Sequence, residues 1–115
     1  MRLQQELVLG VGGVRALRAL KLRATIWHIN EGHSAFQLLE RCAFRMREGL
    51  DFESAMELVA AGTVFTTHTP VPAGHDIFDK QLVRKYLSRT AESMGLDFEQ
   101  IYALGLNTGD GFNMT

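Results

Sequence analysis

The sequence has few of the residues and runs that mark secreted, membrane-spanning or nucleic-acid-binding proteins. Cys42 is its single cysteine, so no internal disulfide can form, and we expect a reducing compartment, by default the cytoplasm. No apolar run approaches the ~20 residues that a membrane span needs, and the first residues lack the pattern of a signal peptide. The 12 basic and 13 acidic residues leave a formal net charge of -1, which argues against nucleic-acid and membrane partners.

The length and the ends of the chain bear on its organisation. Its 115 residues suffice for one small domain. Its composition, 46% hydrophobic and 22% charged, is that of an ordinary globular protein. The sequence starts almost directly in a helix-like pattern and stops at residues 112–115, which resemble the beginning of a strand. We therefore expect a piece of a longer protein.

Hydrophobic spacing predicts helices that alternate with short strands. Apolar residues three and four apart favour helices, and β-branched and aromatic runs favour strands. Asp51, Asp79 and Asp97 are typical N-caps of the last three helices. The alternation predicts an α/β fold with a mainly parallel sheet. The predicted helices cover residues 3–22, 34–48, 52–61, 80–94 and a short stretch from 98, and the predicted strands cover 24–29, 63–67 and a stretch from 112.

Polar side chains follow the first two predicted strands. The two segments are HINEGH (residues 28–33) and TTHT (residues 66–69). Ligands of open α/β sheets bind at the carboxyl ends of the strands, so both turns line one crevice if the strands are neighbours. Asn, Glu, His and Thr side chains donate and accept hydrogen bonds in fixed directions, which suits the hydroxyls of a sugar. Gly32 and Gly74 would let the backbone approach such a ligand closely.

A metal site is a second interpretation of these turns. It would draw on the four histidines, whose spacing matches neither HExxH nor a Cys/His cluster. A small metal-dependent hydrolase built on His33, His68 and His75 is therefore the weaker hypothesis. Taken singly, His28 is expected to be a core or interface histidine, and Cys42 an inert side chain within a helix.

A dinucleotide site is a third interpretation, carried by LVLGVGGVRAL (residues 7–17). The segment resembles a strand, a glycine turn and a helix, but Arg15 stands where the third glycine of the fingerprint belongs. We therefore expect a helix whose glycines allow close packing.

Two longer motifs resemble the α-glucan phosphorylases, the family of the glycogen and maltodextrin phosphorylases. They are WHINEGHSAF (residues 27–36) and VFTTHTPVPAGHDIF (residues 64–78). LGVGGVRALRAL (residues 9–20) is similar to the family's helix upstream, and FNMT (residues 112–115) to its strand downstream. The resemblance covers nearly the whole chain in family order. It implies a Rossmann-like fragment of a GT-B-type two-domain glycosyltransferase, with residues 1–115 forming part of the N-terminal domain.

The resemblance also implies an activity for the parent enzyme. Inorganic phosphate would cleave the terminal α-1,4-linked glucose of a glucan and yield glucose 1-phosphate. Pyridoxal phosphate would be bound by a lysine outside this chain, because Lys21, Lys80 and Lys85 lie in charged, helix-like contexts. The chain alone, with one wall of a two-domain cleft, is not expected to turn over glucan. An oligomeric parent enzyme is compatible with the resemblance.

Site residues follow from the match to the family motifs. His68 would be catalytic, with its side chain reaching the 6-hydroxyl of the glucosyl unit at subsite −1 and its backbone carbonyl facing the developing positive charge. Asn30, Glu31, His33 and Thr69 would bind the substrate. Many family members have Asp-Thr-His-Pro where this chain has Glu-Gly-His-Ser, so the longer acid and the missing proline change the contacts expected there.

One further hypothesis comes from a different class of protein. The same two turns could belong to a stand-alone, non-catalytic glucan-binding module, which would bind maltoheptaose saturably without turning it over. His75 and Asp76 extend the second turn, and no role is assigned to them.

Overall fold

Helices and strands alternate along the chain, as the sequence pattern predicts. The computed structural model describes residues 2–68, 70–71, 75–107 and 109–115, and the chain divides into two compact units, Met1–His68 and Thr69–Thr115. No helix within these described ranges is long and apolar enough to cross a membrane. The first unit contains α1 (Arg2–Leu7), a π-helical segment (Val8–Gly12), α2 (Gly13–Ala19), β1 (Trp27–Asn30), α3 (Phe36–Arg47), α4 (Phe52–Ala61) and β2 (Thr63–Thr66).

The first unit has a two-stranded parallel sheet. β1 pairs with β2 in a register that runs from Trp27 opposite Thr63 to Asn30 opposite Thr66. The condition set on the two polar turns, that their strands are neighbours, is therefore met. β1 begins three residues later than predicted, because residues 25–26 form a bend before the strand.

The glycine-rich segment near the N-terminus is helical, and the dinucleotide interpretation is wrong. A π-helical segment at Val8–Gly12 joins α1 to α2. A Cβ at Gly10 would lie 2.8 Å from the backbone nitrogen of Gln37 and 3.0 Å from the carbonyl carbon of Phe36. The expected role of glycine in close helix packing is thus confirmed at Gly10, where the segment touches the start of α3.

The core of the first unit includes one apolar face of α3 and one of α4. Phe36, Leu39 and Ala43 of α3 are buried, as are Ala55 and Val59 of α4. These residues recur every three or four positions, so they lie on one side of each helix. α4 begins where the sequence predicts, because its cap closes the first turn: the backbone N–H of residue 54 donates to Asp51 Oδ1 at 2.7 Å.

Arg41 fixes the amino ends of the two strands. Its guanidinium donates to the Thr63 hydroxyl at 2.8 Å and to the Val59 carbonyl at 3.3 Å. It also stacks over the Trp27 ring, 4.6 Å from the ring centroid. Burial lowers the pKa of Arg41 from its ordinary value, but a guanidinium remains charged at any physiological pH.

The second unit contains a strand that the sequence pattern does not predict. Its β3 and β4 pair antiparallel, so the prediction of a mainly parallel sheet is correct only for the first unit. Both helices of this unit are capped as predicted, and at the second cap Gln100 completes a capping box with Asp97. The elements of this unit are β3 (Ile77–Phe78), α5 (Lys80–Ser93), α6 (Phe98–Leu104) and β4 (Phe112–Asn113).

Candidate functional site

The candidate site lies in the first unit, where β1 and β2 end side by side. Because the strands are parallel and in register, residues 30 and 66 lie opposite each other. The chain leaves β1 into a turn over residues 31–35 and leaves β2 into residues 67–68. The described residues of both polar segments singled out in the sequence therefore meet at one edge of the sheet, as carboxyl ends of parallel strands do.

Glu31 joins the two turns. Its backbone N–H donates to the carbonyl of Thr66 at 2.8 Å and extends the ladder by one bond. Its carboxylate reaches the segment after β2: Oε2 accepts from the Thr67 hydroxyl at 3.0 Å, and Oε1 accepts from the backbone N–H of His68. One residue of the first turn thus holds three successive residues of the second.

Two of the predicted site residues present polar side chains toward solvent. Asn30 and His68 are exposed, and within the described part of the chain neither side chain has a hydrogen-bond partner. An amide and an imidazole at one sheet edge offer donors and acceptors to a hydroxylated ligand. His33 is also exposed and lies in the first turn, whereas Thr69 lies outside the described residues.

His28, expected to be a core or interface histidine, does not lie in the core. It is exposed, and its Nε2 lies 2.7 Å from the hydroxyl of Thr66. The reason is that β1 buries Ile29 and directs its neighbours along the strand to the other face. His28 therefore bonds across the strands, beside the bonds that Glu31 makes.

The predicted second motif continues into the second unit. His75 and Asp76 belong to the second unit, where the carbonyl of Asp76 accepts from the backbone N–H of Met114 at 3.0 Å. Gly74, expected to allow close approach of a ligand, lies outside the described residues.

A cavity of about 910 Å³ lies at the opposite, amino-terminal ends of the strands. Trp27 and Gly62, which flank the starts of β1 and β2, line it together with several basic side chains. None of the predicted site residues contributes to it. The polar turns are the better candidate site, because they combine exposed polar side chains with a fixed backbone, whereas Arg41, which lines the cavity, already bonds to Thr63 and Val59.

The link between Glu31 and His68 is the feature that the sequence did not reveal. Both residues were singled out for contacts with a ligand, and Thr67 was not assigned any role. The sequence offered only the conditional expectation that both turns share one crevice if their strands are neighbours. The choice of partners depends on side-chain direction, which spacing along the chain does not specify.

The chain is similar over nearly its whole length to parts of known phosphorylases. It is 48% identical over 114 residues to the maltodextrin phosphorylase of Thermococcus litoralis, a match that covers 99% of this chain and 13% of that protein. It is 42% identical over 126 residues to the glycogen phosphorylase of Mycobacterium tuberculosis, covering 98% of this chain and 15% of that protein. The glycogen phosphorylase of Aquifex aeolicus is 32% identical over 118 residues, covering 100% of this chain and 17% of that protein.

These relatives confirm the resemblance found in the motifs. The chain spans between 13% and 17% of the length of these curated relatives. No family model matches the chain, and no solved structure matches it. The relatives give no support to a stand-alone glucan-binding module or to a metal-dependent hydrolase.

Proposed function

We propose, from the homology of this chain to the glycogen and maltodextrin phosphorylases, that it is part of an α-glucan phosphorylase of the GT-B type. The parent enzyme would use inorganic phosphate to release the terminal α-1,4-linked glucose of a glucan as glucose 1-phosphate. The observation that carries the proposal is the 48% identity to a maltodextrin phosphorylase over 114 residues. The chain would supply the sugar-side wall of the active site from its first unit.

The geometry of the two turns supports a role in binding a neutral, hydroxylated substrate. The exposed amide of Asn30 and the exposed imidazole of His68 lie at one edge of the sheet. Both can donate and accept hydrogen bonds with sugar hydroxyls. We assign substrate binding to Asn30, Glu31, His33 and Thr69, with Glu31 acting through the contacts described below.

His68 is the residue to which we assign a catalytic role. Phosphorolysis of a glycosidic bond builds positive charge on the sugar ring, as in other glycosyl transfers through oxocarbenium-like transition states. A backbone carbonyl held in a fixed direction stabilises such charge without reorganising. The hydrogen bond from the backbone N–H of His68 to the Glu31 carboxylate supplies the rigidity that this role requires. The imidazole of His68 remains available for a hydroxyl of the bound glucose.

Pyridoxal phosphate is the cofactor we propose for the parent enzyme, where it supplies a phosphate group that exchanges a proton with the substrate phosphate. The lysines of this chain do not fit its binding site. A lysine that forms a Schiff base is activated by desolvation or by a neighbouring cation, but Lys21, Lys80 and Lys85 are all exposed. Lys80 is moreover paired with Glu99 at 2.9 Å. We therefore place the cofactor lysine outside this chain.

The proposal is tested with the polypeptide that carries this sequence in the cell. Incubated with maltoheptaose, inorganic phosphate and pyridoxal phosphate, it is expected to form glucose 1-phosphate, and replacement of phosphate by sulfate should abolish the product. Saturable binding of maltoheptaose without glucose 1-phosphate would favour the glucan-binding module instead. The single cysteine is consistent with a cytoplasmic location, which we propose for the parent enzyme.

A further inference from the structure

We infer that Glu31 is a positioning residue, which holds the backbone of His68 and does not act chiefly as a ligand of the sugar. The inference rests on the proposed function, because it assigns Glu31 its task through the catalytic role given to His68. It concerns a residue that the sequence pattern placed among the substrate ligands.

The first support is the direction of the carboxylate. Its two oxygens accept from two successive residues of the second turn, Oε2 from the Thr67 hydroxyl at 3.0 Å and Oε1 from the N–H of His68. Bonds in which the acceptor is ionised are about twice as strong as neutral ones. The side chain of Glu31 is therefore aimed at the protein, across the gap between the two strand ends.

The second support is the backbone of the same residue. Glu31 has a φ of 58°, in the left-handed region that non-glycine residues adopt infrequently. In this conformation its N–H still reaches the carbonyl of Thr66 at 2.8 Å while its side chain turns toward β2. Strained backbone of this kind tends to persist at functional sites, where surrounding bonds hold it.

The bond between Glu31 and the N–H of His68 also restricts the direction of the His68 carbonyl. A bond to the N–H of His68 fixes the peptide plane that joins Thr67 to His68. The carbonyl of His68 belongs to the next peptide plane, so only the torsions of His68 itself separate it from the fixed one. Loss of the Glu31 carboxylate would let the peptide plane between Thr67 and His68 rotate, and the carbonyl of His68 would then sample a wider range of directions. The effect of that carbonyl dipole on a developing charge depends on its direction.

The test compares Glu31→Ala, Glu31→Gln and Glu31→Asp in the polypeptide that carries this sequence. We expect Glu31→Ala to lower kcat for phosphorolysis about ten-fold or more, since misplaced catalytic groups cost at least that much, with KM for maltodextrin changed less than about two-fold. Glu31→Gln keeps an acceptor at the same place, so its kcat should lie between those of Glu31→Ala and the wild type. Glu31→Asp retains the charge but is shorter by one methylene, so its kcat reports whether reach matters.

A second readout measures the contact itself. Hydrogen–deuterium exchange, read at the backbone amide of His68 by mass spectrometry with fragmentation, should be slow in the wild type and fast in Glu31→Ala. Glu57→Ala is the matched control, because Glu57 is an exposed glutamate on α4 that belongs to neither turn, and it should change neither kcat nor the exchange at His68.

The possible outcomes separate this inference from the proposed function. An increase in KM at unchanged kcat, with His68 still protected from exchange, would overturn the inference and make Glu31 a direct sugar ligand. Unchanged kinetics and exchange in Glu31→Ala would overturn it as well. If the wild-type polypeptide forms no glucose 1-phosphate, the proposed function fails and the catalytic part of the inference with it, whereas the exchange at His68 still decides whether Glu31 holds this backbone.

Discussion

Single side chains decide how the end of each strand is held in the first unit. At the amino ends Arg41 reaches Thr63 and stacks on Trp27, and at the carboxyl ends Glu31 reaches His68. Each is a charged group that bonds to neutral partners, and bonds to charged groups contribute more than neutral ones, about 1.5–3 kcal/mol each. The short parallel pair is thus fixed at both ends by side chains as well as by its ladder.

Cys42 illustrates a residue whose chemistry is suppressed by its position. It lies on the buried side of α3 with 3% of its surface exposed. Burial raises the pKa of its thiol, and the nearby Arg41 opposes that increase only in part. Since the thiolate is the reactive form, we expect Cys42 in the native 115-residue chain to react with a disulfide reagent at pH 8 at least about ten-fold more slowly than in the chain unfolded in urea. Equal rates in the two states would show that the thiol is accessible and that α3 is not packed as described.

At the scale of elements, two glycines of the N-terminal helical segment provide a matched pair. A Cβ at Gly10 would meet the backbone of α3 at 2.8 Å, whereas a Cβ at Gly13 has no atom within 4 Å. Gly10→Ala should therefore destabilise the first unit by about 1–3 kcal/mol through overpacking. Gly13→Ala should stabilise it by about 0.5–1 kcal/mol, because alanine loses less backbone entropy in a helix.

Urea unfolding of the 115-residue chain, followed by the fluorescence of Trp27, measures both effects, since Trp27 is the single tryptophan and lies on β1. The two substitutions are predicted to change the free energy of unfolding in opposite directions. A Gly10→Ala variant as stable as the wild type would mean that α3 and the glycine segment do not approach as closely as described.

Elements with strong local signals were predictable from the sequence, and elements that depend on distant partners were not. α4 was predicted over residues 52–61 and spans Phe52–Ala61, because a capping aspartate and a following glycine mark both ends. β3 (Ile77–Phe78) was missed, since two residues are too few to show alternation and its partner β4 is distant in sequence. The π-helical segment was missed because apolar spacing does not distinguish it from a regular helix.

The candidate site likewise combines features that local sequence predicts with features that depend on distant partners. The two polar turns could be predicted, because strand ends and residue types are local features. Their meeting at one edge was predicted only on the condition that the two strands are neighbours. The pairing of the Glu31 carboxylate with the His68 amide could not, because it depends on a left-handed backbone at Glu31 and on the direction of a flexible side chain.

At the scale of the whole molecule, the chain is short compared with the proteins it matches, because it spans 13% to 17% of their length. Its two units divide at residues 68 and 69, so the described part of the candidate site belongs to the first unit. Ligand sites of two-domain enzymes lie between domains and need both walls. We therefore predict sugar contacts from this chain and propose that the phosphate and cofactor contacts come from regions outside it.

The most direct test of the central claim is a crystal structure of the polypeptide that carries this sequence with a bound maltooligosaccharide. We predict that the terminal glucose lies against both turns, with its hydroxyls within about 3.2 Å of polar atoms of His68 and Asn30, and with Glu31 still bonded to the His68 amide. A saccharide bound in the cleft without contact to either turn would contradict the claim that these strand ends form the sugar-side wall.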